Sequence, residues 1–284
     1  MLLYSVILLW YNLFQKSEMG DGMNNVNKTL YIPLYGKAFV SKKNIILQDK
    51  KAEEIWEMVG FPLKAKSKSK WLAYYMGMRS AVFDAWLRAR MESDDEAVVI
   101  HIGCGMDSRI LRVGSRGHQW YDVDFAQVIA ERKRFYEENE EYHMLASDAR
   151  TDEWLKNLPK DSKAIVVMEG VSMYFAPEEL KVLLGNLCAH FNNVNLLMDC
   201  YTTFAAKASK YKNPINDVGV TSVYGVDEPE ELTADIGLTF VKEHEMTPEH
   251  LIGQLQGTER MIFKKLFAGK LAGKMYRLYE YQKV

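Results

Sequence analysis

Apolar and polar positions along this chain follow two rhythms. Short runs at 97–102, 119–124, 142–147, 164–168 and 193–199, the first and fourth rich in β-branched residues, read as strands. Between them, apolar residues recur every three or four positions and predict helices over 125–139, 151–158 and 177–190. Pro177-Glu178-Glu179 is a good helix start: proline suits a first turn, and the helix dipole favours acids there. Leu180, Val182, Leu183, Leu184 and Leu187 supply that helix's buried side. Such alternation predicts an α/β fold with a doubly wound, mostly parallel sheet covered on both faces. Residues 237–243 and 275–284 read as a closing antiparallel pair with a helical segment between them. Upstream, 45–60 and 71–91 carry helical patterns, the first ended by Gly60 and Pro62.

Composition narrows the class. The chain has 284 residues, 48% of them hydrophobic, and a net charge of -2, as expected of an ordinary globular protein. It lacks the basic surface that binding along a nucleic-acid backbone requires. Cys104, Cys188 and Cys200 are too few and scattered for a disulfide framework or a zinc site, which fits a reducing cytoplasm. The six histidines show no metal-ligand spacing, so metal-free chemistry is the default. Lys64–Lys70 reads as a solvated basic loop. No signal sets an oligomeric state.

Met1–Phe14 is nearly all apolar, but no basic residue precedes it, no small-residue cleavage site follows, and it is short for a membrane span. A lid helix, or upstream sequence ahead of a start at Met19 or Met23, fits better than a membrane anchor. No stable membrane insertion is expected. The expected organisation is an extension over 1–28, a helical lid over 29–92 and one catalytic domain over 93–284, compact with the lid.

The chemistry gathers where strands end. The run Val98–Ile102 enters Gly103-Cys104-Gly105, and about twenty residues on, the next strand ends in Asp122-Val123-Asp124. A buried strand, a glycine turn opening a helix and an acid ending the next strand form a nucleotide half-site. A dinucleotide would want a third glycine and a helix start free of acids, yet Asp107 and Ser108 stand there. A phosphate-free cationic nucleoside such as S-adenosylmethionine tolerates that better, although a nicotinamide cofactor shares the half-site. Acids also follow the third, fourth and fifth strands, at Asp148, Glu169 and Asp199. Gathering them at one rim is costly unless a cation or hydroxyl donors offset the charge. Arg79, in the helix entering the first strand, could clamp a ligand carboxylate or pair with Asp84.

In order and spacing, these segments resemble the leucine carboxyl methyltransferase group, which includes the tetracenomycin-type polyketide O-methyltransferases. The resemblance rests on Arg79-Ser80 with Phe83-Asp84, Ile102–Arg109, Trp120–Phe125, Ser147–Arg150 and Glu169–Tyr174. It implies a class I, Rossmann-like methyltransferase fold with a seven-stranded sheet and N-terminal helices lidding the cofactor, S-adenosylmethionine. It also implies that Arg79 holds the methionine carboxylate, Gly103, Cys104 and Gly105 the methionine backbone, and Asp124 the ribose diol. Phe125 joins the cofactor set, Asp148 and Ala149 line the adenine, and Glu169 lies near the methionine amino group. Ala126 stands where the family usually has proline, and Cys104 where alanine is commoner. The C-terminal insertions of the eukaryotic enzyme are not recognisable, which weighs against protein-carboxyl methylation.

The expected reaction is methyl transfer to a carboxylate or hydroxyl oxygen of a small molecule. The residues after the fourth strand, Glu169-Gly170-Val171-Ser172, lack the motif of amino-methylating nucleic-acid enzymes. Glu169, Tyr174 and Tyr201 are candidates for positioning or deprotonating the acceptor, while ordinary core packing accounts better for the two tyrosines. His143, within a strand, reads as a satisfied structural histidine. A cofactor-binding module without turnover is the competing class.

Overall fold

The computed structural model describes residues 30–60, 68–209, 223–233, 235–269 and 272–283. The expected extension over 1–28 and most of the basic 64–70 loop lie outside these residues.

Seven strands form one sheet: β1 (Val98–Ile102), β2 (Trp120–Asp124), β3 (Tyr142–Ala146), β4 (Lys163–Met168), β5 (Asn193–Tyr201), β6 (Thr239–Glu243) and β7 (Tyr276–Lys283). Their order is β3-β2-β1-β4-β5-β7-β6. The first five are parallel, and β7 runs antiparallel between β5 and β6, which is the expected closing pair. Every residue of β1 is buried because both faces of the sheet are covered. Val99, Ile165, Val167 and Leu197 face one core, whereas Val98, Ile100, Val166 and Met198 face the other. The second core is closed by α6 (Pro177–His190) through Leu180, Leu183, Leu184 and Leu187.

The first core is shared with three N-terminal helices: α1 (Tyr31–Lys42), α2 (Lys50–Val59) and α3 (Lys70–Ser93). Leu34, Tyr74 and Phe83 pack in the same cluster as Val99 and Ile165, so sheet and helices bury one continuous apolar interior. At the crossing of α1 and α3 the side chains are minimal. A Cβ on Gly36 would meet Met76 Cβ at 2.9 Å, and one on Gly77 would meet Val40 Cγ2 at 2.8 Å.

Several helices differ from their predicted spans. The helix expected over 45–60 begins at Lys50, because Asn44 and Ile46 adopt positive φ of 53° and 68°. Asp49 then caps it, accepting a hydrogen bond from the Ala52 amide at 2.8 Å. The helix expected over 125–139 stops early, as α5 (Ala126–Arg132). Its last residue turns inward and the chain continues as tight turns, with the Phe135 amide donating to Arg132 O at 2.9 Å. Residues 153–157 form only a 3₁₀ turn. A short helix, α4 (Arg109–Val113), follows the glycine turn, and α7 (Thr203–Ser209), α8 (Glu249–Ile252) and α9 (Gly257–Leu266) complete the chain. Strand order reverses between β1 and β4, where open sheets of this kind bind ligands at the carboxyl edge.

Candidate active site

At that edge β1 runs into the glycine turn. Gly103 keeps ladder contact by donating to Val123 O at 2.8 Å and has φ +69°. A Cβ there would lie 2.7 Å from Val171 Cγ2. At Gly105, with φ +51°, a Cβ would stand in van der Waals contact with Leu30 Cβ at 3.7 Å. Its amide donates to Asp124 Oδ2 at 2.8 Å, and the Phe125 amide donates to Asp124 Oδ1 at 2.8 Å. Burial nonetheless pushes the Asp124 carboxyl up to about 6, the two amides opposing it. Cys104 is buried and its thiol is pushed well up by desolvation.

Beside this turn, Phe125 leaves 42% of its surface exposed. The Arg150 guanidinium stands 6.0 Å from its ring centroid and clasps Asp148, Nε to Oδ1 at 2.9 Å and Nη2 to Oδ2 at 2.6 Å. Arg150 holds the Asp148 carboxyl below its ordinary value. Ala149 lies between these two residues.

Across the switch point, Arg79 projects from α3 into a buried cluster of charges. Its Nε donates to Glu169 Oε1 at 3.0 Å and its Nη1 to Asp199 Oδ2 at 2.8 Å. Asp199 Oδ1 accepts the Gly170 amide at 2.6 Å. The second oxygen of Glu169 is taken by Arg109 Nη2. Burial would raise the Glu169 carboxyl, but Arg79 and Arg109 overcome it and hold the group at about 2. Burial pushes the Asp199 carboxyl up despite Arg79 and the Gly170 amide.

Beyond Arg79 the wall is phenolic. Tyr201, at the end of β5, meets Tyr276 edge-to-face with ring centroids 4.5 Å apart, and Tyr75 lies 6.0 Å from Tyr276. The Tyr75 hydroxyl donates to Met246 Sδ at 3.2 Å. Burial raises all three phenols above their ordinary value. Tyr174 ends the 3₁₀ turn Ser172–Tyr174 after β4, with only part of its surface covered.

The sequence-predicted residues therefore fall into two groups flanking the glycine turn. Gly103, Cys104, Gly105, Asp124, Phe125, Asp148 and Ala149 lie on the β1–β3 side; Arg79, Glu169, Tyr174 and Tyr201 lie on the β4–β5 side. Three readings need correction. Arg79 does not pair with Asp84, which instead accepts from Arg109 Nε at 2.8 Å and Arg112 Nε at 2.7 Å. Glu169 is poorly suited to removing a proton, since both oxygens are held by guanidinium groups and its carboxyl sits at about 2. Asp107 does not stand as a lone negative charge at a helix start. It is buried against Lys37 at 3.1 Å, Arg112 at 2.7 Å and Arg109 at 3.3 Å. His143 behaves as expected, stacked 5.0 Å from Tyr121 with Nε2 3.0 Å from Gln119 Oε1.

The cations Lys37, Arg109 and Arg112 were missed. They join Asp49, Asp84, Asp107 and Glu169 into one buried network that ties α1, α2 and α3 to the glycine turn. A signal was present: Asp107, Arg109 and Arg112 lie within one turn and a half, too dense in charge for a helix facing only apolar neighbours.

The leucine carboxyl methyltransferase family matches the chain over residues 24–188. The tetracenomycin polyketide synthesis O-methyltransferase TcmP of Streptomyces glaucescens is 25% identical over 243 residues, covering 84% of this chain and 90% of the relative. The S-adenosyl-L-methionine-dependent methyltransferase dpfgK of Gibberella zeae is 26% identical over 242 residues, covering 77% of this chain and 81% of the relative. Among solved structures, magnesium protoporphyrin IX methyltransferase from Synechocystis PCC 6803, with bound SAH, shares the fold at a TM-score of 0.50. Its identity is 14%, and the match covers 83% of this chain and all of that one (100%).

Proposed function

The chain belongs to the leucine carboxyl methyltransferase family and is an S-adenosylmethionine-dependent methyltransferase; on that premise we propose that it methylates the carboxylate oxygen of a small molecule. S-adenosylmethionine, when bound, supplies an electrophilic methyl group on a sulfonium. The residues at the carboxyl edge fit that group. Gly105 presents bare backbone with no Cβ, Asp124 offers acceptor oxygens for ribose hydroxyls, and no phosphate-binding glycine follows at Ser108. In this reading Gly103, Cys104 and Gly105 line the methionine backbone, and Phe125, Asp148 and Ala149 line the adenine. Arg79 faces the methionine carboxylate, with Glu169 beside it. The glutamate serves chiefly to aim and neutralise that guanidinium, being shared between Arg79 and Arg109.

One observation carries the choice of acceptor: the acids around Arg79 have no oxygen to spare. Glu169 accepts from Arg79 and Arg109, Asp199 from Arg79 and Gly170, and Tyr75, Tyr201 and Tyr276 are held protonated by burial. A carboxylate arrives ionised at neutral pH and needs only alignment, worth roughly 7–11 kcal/mol in favourable cases. A phenol or alcohol would have to lose its proton to a base. Tyr174 and Tyr201 then act as walls that orient the acceptor and exclude water.

The test is methyl transfer from labelled cofactor to matched panels of carboxylic acids and phenols, followed by mild alkali. A base-labile product, a methyl ester, is expected. A base-stable ether as the main product overturns the carboxylate reading, and cofactor affinity without any labelled product would favour a binding module. Three buried, unpaired cysteines support a reducing, cytoplasmic setting. Among the described residues, no helix is long and apolar enough to cross a membrane.

A further inference from the structure

The glycine turn is held from beneath as well as at its open side. Gly105 stands between two peptide groups, and each is pinned: its N–H donates to Asp124 at 2.8 Å, and its carbonyl accepts from Arg132 Nη1 at 3.0 Å. Arg132 ends α5 and is fully buried. Its Nε donates to the Tyr142 hydroxyl at 3.0 Å, its guanidinium pairs with Asp122, and it lies 4.1 Å over the Tyr136 ring. Asp122 is further satisfied by the Tyr142 hydroxyl at 2.7 Å and Trp120 Nε1 at 2.9 Å. Tyr136 in turn donates its hydroxyl to the next carbonyl, Met106 O, at 3.1 Å. Two side chains, one ending α5 and one four residues beyond it, thus hold successive carbonyls of the turn.

We propose that Arg132 is a positioning residue that sets cofactor affinity through the backbone of Gly105, with Tyr136 supporting it. The proposal rests on the reading of the Gly103–Gly105 turn and Asp124 as the cofactor site. Arg132 is buried and charge-paired, so it offers a ligand nothing directly. Its influence passes through geometry. A trans peptide is planar, so drawing the Gly105 carbonyl toward Arg132 turns the Met106 N–H the opposite way. With a glycine at that corner, the backbone torsions are fixed by these bonds together with the Asp107 amide closing the turn on Cys104 O at 3.0 Å.

The experiment compares Arg132→Met combined with Asp122→Asn, which leaves no unpaired buried charge, against Leu187→Val. The valine variant removes a methylene from the second core, on the other face of the sheet, without touching the turn or Arg132. The double variant is expected to raise the calorimetric Kd for the cofactor and for S-adenosylhomocysteine about tenfold, the loss of one charge-assisted hydrogen bond. The cofactor KM should rise in step, while kcat at saturating cofactor stays within about twofold. Leu187→Val should lower the melting temperature and leave both Kd values unchanged. A folded double variant with wild-type Kd overturns the proposal. So does Leu187→Val weakening binding equally, since affinity would then follow general stability. If the double variant does not fold, Arg132→Lys, which keeps a charge for Asp122 but loses the planar fork, carries the test with Tyr136→Phe. Unchanged Kd in both would overturn the proposal. Asp124→Ala separates the two levels: no effect on cofactor Kd sinks the site reading itself, whereas weakened binding there with unaffected Arg132 variants sinks only this inference.

Discussion

Arg79 donates through Nε to Glu169 at 3.0 Å with both side chains buried, so the cation expected to meet a ligand carboxylate is already anchored within the protein. Arg109 closes the other side of the same glutamate. Glu169→Gln keeps the shape but leaves two buried guanidinium groups sharing one fewer anion. A loss of about 3–5 kcal/mol in unfolding free energy is expected, the usual cost of breaking a buried pair, measured by urea denaturation. A general base would behave differently, with a stable variant that loses mainly kcat.

Asp124 gives a pH dependence of the cofactor step. Its carboxyl is pushed up to about 6 by burial, so it gains a proton as pH falls through that value. A protonated acid has lost acceptor capacity for ribose hydroxyls, and cofactor Kd should rise from pH 7 to pH 5. Asp124→Asn should bind weakly at both pH values and flatten the dependence. Calorimetry across that range checks it, and a wild-type Kd independent of pH would refute the assignment. The sign for stability differs: the native state binds this proton more tightly than the unfolded chain, so ionising Asp124 between about 4 and 6 costs stability as pH rises.

How much of this could be read from the chain depended on the range of the interaction. The β1–β5 strands and Pro177–His190 were legible because short apolar runs and a period-3.6 pattern are local. The glycine turn and its partner Asp124 were legible because the half-site fixes their spacing. Within the expected lid no periodic pattern marks the helix Tyr31–Lys42, since its buried face includes Gly36, Lys37 and Ser41, which look polar or helix-breaking in sequence. Lys37 earns its burial only by meeting Asp107, seventy residues away in the chain. The shortened α5 has the same origin: Arg132 turns inward to Asp122 and Gly105, a pull absent from any local window. The acids at the strand ends were recognised, but the arginines offsetting them were not, because pairing is decided by the fold.

Gly103 offers a test that separates conformation from space. Its φ of +69° is costly for alanine by roughly 1–2 kcal/mol. The new Cβ would also lie 2.7 Å from Val171 Cγ2, an overpacking cost of about 1–3 kcal/mol. Gly103→Ala should therefore be markedly destabilised. Adding Val171→Ala should restore the steric part and leave the conformational part, measured as a double-mutant cycle in urea. Complete restoration would show that backbone strain contributes nothing; no restoration would show that the clash is relieved by movement elsewhere.

Acid stability follows from three carboxylates held low. Glu169, Asp122 and Glu280 each sit at about 2, against ordinary carboxylate values near 4. The cause differs by site. Arg79 and Arg109 act on Glu169, and Arg132 with His101 on Asp122. His244, Trp86 and Arg90 act on Glu280. In each case the unfolded chain takes up protons before the native state does. The stabilisation is therefore complete above about pH 5 and declines as pH falls from about 4 toward 2. Asp124 and Asp199, whose carboxyls are raised, push the other way, and the gain from protonating Asp124 comes between about pH 6 and pH 4, before the decline sets in. Urea midpoints between pH 7 and pH 3 should be level at first and then fall steeply. Glu280→Gln, far along the sheet from the glycine turn, should be less stable at pH 7 and show a shallower fall below pH 4 than the wild type. A fall of undiminished steepness in that variant would mean that Glu280 takes no part in the acid transition.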